Sequence, residues 1–358
     1  MKKKNIIIII CLIICIIVVS LIGFYMYQSA PVNKKSNADI EVIIPPGSST
    51  KEISKILKEK DLIKNSNFFL LYLKINNKNS LKASTYKMKK SMSLNEIITI
   101  LEEGNNYNPD EIKITFKEGI NMRGIAKAIE SNTNNSYNDI LAKLEDESYI
   151  KTLIEKYWFL SEEILAENIY YPLEGFLFPD TYIFKNKDVT IEEIFTAMLD
   201  NMDKVLTPYK DTLTKNKQDI FDIITMASLV ELEGVKADQR KNIASVFYNR
   251  LANNMNLGSD VTTYYAIKVD MSERDLYASE INAYNPYNTR GPQMEGKLPI
   301  GPICIPSKSS IEASINPSDT DYLYFVADKY KNVFFTKTYS EHTSKVQEIK
   351  DKGDWIEW

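Results

Sequence analysis

An uncharged and mostly apolar run at residues 6–27 is the feature that most constrains what this chain can form. About 20 such residues are enough for a helix to cross a lipid bilayer. The run follows Lys2, Lys3 and Lys4, and lysines beside a membrane span favour the cytoplasmic side. We therefore predict a transmembrane helix at residues 6–27, with residues 1–5 in the cytoplasm and the remainder outside the cell membrane. A cleaved signal peptide is the alternative, but its apolar core would be shorter, and Gln28 disrupts the small-residue pattern of a cleavage site.

Composition limits the classes of protein that fit the rest of the chain. Its 358 residues leave room for two or three modules with cores of their own. The net charge of -4 gives no broad basic surface, which argues against nucleic acid as a partner. Cys304 is the only cysteine beyond residue 15, so no intramolecular disulfide is expected in this part. The single histidine, His342, argues against a zinc site, and we predict neither a metal nor a cofactor.

The pattern after the anchor indicates small strands and amphipathic helices. After a linker at residues 28–39, a strand-like piece followed by a helical pattern recurs three times, with apolar residues at the same spacing. The first two of these units fall in a small module at residues 40–108. Further on, the periodicity predicts helices at 190–206, 218–233 and 237–253, and strands at 322–328 and 333–337. The predicted fold class is α+β, with a connecting region at residues 109–210 and a final domain at 211–358.

A carboxylate in the second of these helices is the strongest chemical signal. Ile224, Ala227, Ser228 and Glu231 fall at i, i+3, i+4 and i+7, so the acid shares a helix face with small and apolar residues. A carboxyl desolvated in this way stays protonated near neutral pH, as a general acid requires. Glu233 shares another face with apolar residues, so the spacing alone leaves the choice between the two acids open.

A series of short motifs in a fixed order bears on the choice between Glu231 and Glu233. They are residues 227–233 (ASLVELE), 243–251 (IASVFYNRL), 287–289 (YNT), 298–303 (LPIGPI), 322–327 (YLYFVA) and 341–342 (EH), with 173–182 (LEGFLFPDTY) upstream. Together they resemble the motifs of the endolytic murein transglycosylases, the YceG-like family, over nearly the whole chain from about residue 42. Each motif is weak by itself, but their shared order is specific.

The resemblance implies an activity and a catalytic residue. It implies a membrane-anchored lytic transglycosylase that cuts the bond between N-acetylmuramic acid and N-acetylglucosamine in nascent peptidoglycan and leaves 1,6-anhydro ends. Glu231 takes the position of the family's catalytic acid, and residues 40–108 take that of a LysM-like module. The implied partners are glycan strands and the membrane-bound peptidoglycan synthases.

Further residues are candidates for holding the glycan. Their side chains could hydrogen-bond sugar hydroxyls or stack on sugar faces, and they are Asp260, Tyr287, Asn288, Thr289, Glu174 and Tyr182. Aromatic residues at the density found in 170–182 are also typical of a protein core. The chain departs from the usual family pattern at residues 257–262 (LGSDVT) and at Lys297 and Ile300, which concerns substrate positioning and not the reaction.

Two other functions remain open at this point. One is a scaffold without catalysis, which binds peptidoglycan and recruits synthases. The other is a muramidase that hydrolyses the glycan with Asp260 or Glu233 as a second carboxylate, since glycoside hydrolysis usually requires two.

Overall fold

The computed structural model describes residues 2–45, 47–78, 80–104, 108–234 and 236–355, with only the backbone for residues 2–7. The chain divides into two compact units, the first formed by Met1–Asp110 and the second by Glu111–Trp358. The side chains of Lys2, Lys3 and Lys4, on which the predicted topology rests, lie outside the described residues.

The first unit begins with one long helix, α1 (Lys2–Ser29). Its segment Ile8–Ser29 is long and apolar enough to cross a membrane. The helix extends two residues beyond the predicted span, because Gln28 and Ser29 continue its last turn. This helix is consistent with a membrane anchor.

A small module follows the helix in the same unit. Strand β1 (Asp39–Ile44) pairs antiparallel with β2 (Ser84–Lys89), and α2 (Thr50–Glu59) and α3 (Ser66–Ile75) connect the two strands. Helix α4 (Leu94–Glu103) follows β2. The strands and the helices after them lie where the repeated pattern predicts them, whereas α3 was not predicted. The likeness of this module to LysM stays a prediction.

Side-chain caps explain where two of these helices begin. Ser49 before α2 and Ser93 before α4 each form a reciprocal capping box with a glutamate three residues later, Glu52 and Glu96. Such boxes satisfy backbone N–H groups that the first helical turn leaves unpaired.

The end of α1 packs against α3 within this unit. The rings of Phe24 and Tyr25 each lie 5.8 Å from the ring of Phe68, and Tyr25 stacks on Tyr72 at 5.8 Å. Lys64 Nζ donates a hydrogen bond to the carbonyl oxygen of Tyr27 over 2.5 Å. These contacts connect the last turns of α1 to the module.

The second unit is mainly helical, with two small antiparallel sheets. Its elements are β3 (Ile112–Thr115), α5 (Met122–Asn132), α6 (Tyr137–Glu145), α7 (Glu147–Lys156), β4 (Thr181–Phe184), α8 (Ile191–Leu206), α9 (Lys210–Asn216), α10 (Ile220–Glu233), α11 (Ala237–Ala252), α12 (Asp260–Ala266), α13 (Ala278–Ile281), α14 (Lys308–Ile315), β5 (Tyr324–Ala327), β6 (Val333–Thr336) and α15 (Tyr339–Asp351). Strand β3 pairs with β4, and β5 pairs with β6. The predicted α+β class is confirmed, and α8, α10 and α11 end within two residues of the predicted helices.

Helix α10 lies between the two hydrophobic clusters of this unit. Ile223, Ile224 and Ala227 join the cluster that includes α5 and α8, whereas Met226 and Leu229 join the cluster around α11 and α12. Because α10 is buried on both sides, the residues at its C-terminal end have fixed positions. The predicted boundary at residue 210 stays a prediction.

Candidate functional site

Helix α10 carries both candidate acids in its last turn. Gly234 ends the helix, and its N–H donates to the carbonyl oxygen of Val230 over 2.8 Å. A Cβ atom at Gly234 would lie 2.7 Å from that oxygen, so a larger residue has no space here. The chain then turns into α11, whose first turn brings Arg240 back to Glu231.

Four hydrogen bonds hold the carboxylate of Glu231. Its Oε1 accepts from Nη2 of Arg240 over 2.9 Å. Its Oε2 accepts from the backbone N–H of Ser307 over 2.9 Å, from Ser307 Oγ over 2.5 Å and from Ser310 Oγ over 2.8 Å. The side chains of Glu231 and Arg240 are 6% and 8% exposed, so this ion pair is shielded from water.

The three donors to Oε2 come from the start of helix α14. Ser307 is the N-cap of that helix and accepts a hydrogen bond from the N–H of Ser310. A helix N-terminus carries a partial positive charge and unpaired N–H groups, both of which stabilise an anion. Helix α14 and Arg240 therefore hold Glu231 from two sides.

Arg240 is fixed by hydrogen bonds of its own. Its Nε donates to the carbonyl oxygen of Gly234 over 3.1 Å, and its Nη1 donates to Ser307 Oγ over 2.6 Å and also to Ser309 Oγ. The guanidinium thus cannot move away from Glu231 without losing several bonds. Oε1 accepts one hydrogen bond and Oε2 accepts three, so Oε1 is the better placed oxygen to exchange a proton with a substrate.

This polar surrounding differs from the apolar one that the helical spacing predicts. Ile224, Ala227 and Ser228 are buried as expected. Glu231, one turn further on, lies at the end of the helix, where Arg240 and the α14 N-terminus contact it. The spacing within α10 cannot show either of these neighbours.

Glu233 has the desolvated setting that was expected for the acid. Its Oε1 accepts a hydrogen bond from Ser259 Oγ over 2.6 Å. Burial raises the pKa of Glu233, and the charge of Asp260 also raises it, whereas the bond from Ser259 and the nearby Arg250 lower it. Glu233 is therefore attached to the segment before α12 and not to the Glu231 cluster.

Asp260 and the loop at 287–289 border the same region. Asp260 forms an ion pair with Arg290 at 2.8 Å, and its side chain is 57% exposed, so it is accessible to a ligand. The other three candidates in this region, Tyr287, Asn288 and Thr289, are at most 1% exposed.

Hydrogen bonds to the surrounding loops fix those three residues. Tyr287 OH accepts from the N–H of Tyr170 over 3.2 Å, and Asn288 Oδ1 accepts from Thr263 Oγ1 over 2.6 Å. Thr289 Oγ1 accepts from the N–H of Ser259 over 3.2 Å. These bonds shape the loop beside Glu233, and direct contact of the three side chains with a glycan stays a prediction.

The remaining candidates, Glu174 and Tyr182, have different hydrogen-bond partners. Glu174 is 2% exposed and accepts hydrogen bonds from the N–H of Met122 over 2.9 Å and from Tyr265 OH over 3.0 Å. Burial raises the pKa of Glu174 to about 7. Tyr182 in β4 donates to the carbonyl oxygen of Phe178 over 2.8 Å, and burial raises its pKa to about 12. Glycan contact by these two side chains also stays a prediction.

Glu118, in the loop after β3, lies near Glu231 but was not among the residues that the sequence suggested. A Cβ atom at Gly119 would lie 3.8 Å from Cγ of Glu231, so the loop after β3 passes close to the acid. Glu118 precedes this glycine and is exposed. Burial of part of its side chain raises the pKa of Glu118, the Glu231 charge raises it further, and Arg240 lowers it. Arg240, Ser307 and Ser310 were missed as well, because nothing in their local sequence connects them to Glu231.

Comparison with known proteins identifies relatives that align with nearly all of this chain. The model of the YceG-like family matches residues 42–348. The endolytic murein transglycosylase of Bacillus subtilis (strain 168) is 37% identical over 337 residues, which cover 93% of this chain and 92% of that protein. The protein of the same name from Streptococcus pneumoniae serotype 2 is 35% identical over 348 residues, which cover 91% of this chain and 62% of that protein.

A solved structure shows the same architecture. The crystal structure of a yceG-like protein from Listeria monocytogenes matches with a TM-score of 0.61 at 37% sequence identity. The match covers 86% of this chain and 99% of that one.

Proposed function

Because the chain belongs to the YceG-like family, we propose that it is a lytic transglycosylase that cuts peptidoglycan glycan strands internally, with Glu231 as the catalytic acid and base. The family membership supports the activity, and the relatives named endolytic murein transglycosylases support the substrate. The observation that carries the choice of Glu231 is its fixed carboxylate, which helix α14 and Arg240 hold beneath the loop at Gly119.

The reaction needs one group that first gives and then takes a proton. Protonated Glu231 donates to the oxygen between the muramic residue and the following glucosamine. The bond from C1 to that oxygen breaks, its electron pair leaves with the oxygen, and positive charge develops at C1. The O6 hydroxyl of the same muramic residue then attacks C1 and returns its proton to the Glu231 carboxylate, which gives a 1,6-anhydro end.

The contacts of Glu231 suit the second half of this cycle. Three donors to Oε2 stabilise the carboxylate that forms when the proton has left. Oε1 remains the oxygen that exchanges the proton. Since O6 and C1 belong to one sugar, the attack has the high effective concentration of an intramolecular reaction, so one acid and base suffices.

The other candidate residues then divide into two roles. Asp260 is exposed enough to contact the glycan directly, and Tyr182 is a second candidate for that role. The four buried residues would shape the cleft through the loops they hold, and these residues are Glu174, Tyr287, Asn288 and Thr289.

Substitution of the two acids tests the assignment. Glu231→Gln should lower the rate of strand cleavage by about 10²-fold or more, because the group can no longer donate or accept the reacting proton. Glu233→Gln is the matched control on the same helical turn and should lose far less activity. Equal losses, or a larger loss for Glu233→Gln, would contradict the assignment, once circular dichroism has shown that both variants are folded.

The location follows from the N-terminal helix. We propose that α1 is retained as a single-pass anchor, with its N-terminus in the cytoplasm and the second unit outside the membrane. Its apolar segment Ile8–Ser29 supports the span, and Lys2–Lys4 support the orientation. Protease added to intact protoplasts should digest the second unit, and protection of that unit would overturn the orientation.

The tether favours cutting close to the membrane. Only residues 30–38 separate α1 from β1, and the end of α1 packs against α3, so the catalytic unit should meet strands close to where the membrane-bound synthases release them. We propose these synthases as partners on this ground. A long flexible insert in the linker at residues 30–38 should shift the lengths of newly made strands, and unchanged lengths at normal protein levels would argue against confinement.

A further inference from the structure

We propose that Glu118 is a second carboxylate of the Glu231 site, which faces the glycan and stabilises the positive charge that develops at C1. This inference rests on the proposed transglycosylase activity and adds a residue to it.

Backbone hydrogen bonds fix the position of the Glu118 loop. The N–H of Gly119 donates to the carbonyl oxygen of Ile305 over 2.9 Å. In return, the N–H of Ile305 donates to the carbonyl oxygen of Ile120 over 2.9 Å. Ile305 lies two residues before Ser307, which holds Glu231. The loop and the α14 N-terminus therefore form one connected frame around the acid.

Glycine at position 119 allows the close approach of this loop. Its φ of +77° is in the left-handed region, and an added Cβ would lie 3.4 Å from Leu232 Cδ2 and 3.8 Å from Glu231 Cγ. A methyl group at position 119 would thus be in van der Waals contact with Glu231, so the loop that carries Glu118 runs close beside the acid.

The side chain of Glu118 is available for a ligand. Within the part of the chain that the structure describes, it has no hydrogen-bond or ion-pair partner, and it is exposed. The two carboxylates that the sequence offered as a second acid both have partners, since Glu233 accepts from Ser259 and the exposed Asp260 pairs with Arg290. The negative charge of Glu231 raises the pKa of Glu118.

An unpaired carboxylate close to Glu231 could assist the proposed reaction. When the glycosidic bond breaks, C1 gains positive charge, and a fixed negative group nearby lowers the energy of that state. Glu118 forms no bond in this role and undergoes no net change in protonation. The proton still passes from Glu231 to the leaving oxygen and from O6 back to Glu231.

The test compares variants of the full-length protein in detergent on purified glycan strands. Glu118→Gln removes the charge and keeps the shape, whereas Glu118→Asp keeps the charge on a shorter side chain. Glu111→Gln is the matched control, because Glu111 is an exposed carboxylate directly before β3, whereas Glu118 follows that strand. Glu231→Gln measures the background activity that remains when the proposed catalytic acid is removed. For each variant kcat and KM are measured separately, together with the midpoint of thermal unfolding.

We expect Glu118→Gln to lower kcat by about tenfold or more with a smaller change in KM, since partial exposure reduces the effect below that of a fully enclosed group. Glu118→Asp should recover part of the loss, and Glu111→Gln should resemble the wild type. The unfolding midpoint of Glu118→Gln should not fall, because the side chain has no hydrogen-bond or ion-pair partner to lose.

Three results would overturn the inference. A wild-type kcat in Glu118→Gln, beside an inactive Glu231→Gln, would remove Glu118 from the reaction and leave the proposed function intact. A change in KM alone would show a binding contact without a role in charge stabilisation. Loss of activity together with a lowered unfolding midpoint, in both Glu118 variants, would show a structural role instead. Activity in Glu231→Gln would contradict the proposed function itself.

Discussion

Substitution of Glu231 should weaken the fold as well as the reaction. Glu231 and Arg240 form a 2.9 Å ion pair whose side chains are 6% and 8% exposed. In Glu231→Gln one oxygen becomes an NH₂ group, which must face either Arg240 or the serine donors of α14. Donor then meets donor, and the charge of Arg240 remains buried without its anion.

The size of this effect follows from the contacts that remain. Breaking one partner of a buried ion pair costs about 3–5 kcal/mol. Arg240 keeps its bonds to the Gly234 carbonyl oxygen and to Ser307, so we expect the lower end of that range, about 3 kcal/mol. For a domain of this size, that loss lowers the unfolding temperature by about 6–12 °C.

A double-mutant cycle measures the interaction. Thermal unfolding is followed for the wild type, Glu231→Gln, Arg240→Gln and the variant with both changes. Each single change leaves a buried group without its partner, so the double variant should lose clearly less stability than the sum of the two single losses. Additive losses, or wild-type stability of Glu231→Gln, would refute the view that this pair is a buried and mutually dependent unit.

Two further predictions concern the LEG sequence at residues 173–175. Burial raises the pKa of Glu174 from its ordinary 4.5 to about 7, so between these pH values the folded state keeps a proton that the unfolded state releases. The free energy of unfolding should therefore fall by about 3 kcal/mol as pH rises through this window. Measured by urea unfolding, the free energy of unfolding of Glu174→Gln should depend less on pH than that of the wild type. Parallel pH profiles of the two proteins would contradict this. Gly175→Ala should lower stability measurably in the same assay, because φ is +83° and the new Cβ would lie 2.4 Å from Cβ of Pro302; unchanged stability would show that this contact relaxes freely.

Local patterns were sufficient to predict many of the elements. The caps at Ser49 and Ser93 and the apolar periodicity of α8, α10 and α11 depend on residues within a few positions of one another, and these helices lie close to where the sequence places them. Helix α3 escaped prediction because six apolar residues follow one another in it without interruption (FFLLYL), so it shows little helical periodicity.

The neighbours of Glu231 could not be predicted in this way. Ser307 is 76 residues from Glu231 in the chain, and Glu118 lies on the other side of α5 to α9 in sequence. Only the tertiary fold brings the start of α14 and the loop after β3 to the end of α10. For the same reason the sequence suggested an apolar setting for Glu231, whereas in the structure charged and polar groups hold Glu231, and Glu233 is the acid whose pKa burial raises.

The mass of the ends released from purified glycan strands tests the central claim most directly. The full-length protein in detergent should produce muramic ends that are lighter by one water than hydrolysed ends, because O6 of the sugar and not water attacks C1. Glu231→Gln, assayed below its unfolding temperature, should release them about 10²-fold more slowly or not at all. Free reducing ends from the wild type would contradict a lytic transglycosylase and would indicate a muramidase, and no cleavage by a folded wild-type sample would indicate a scaffold.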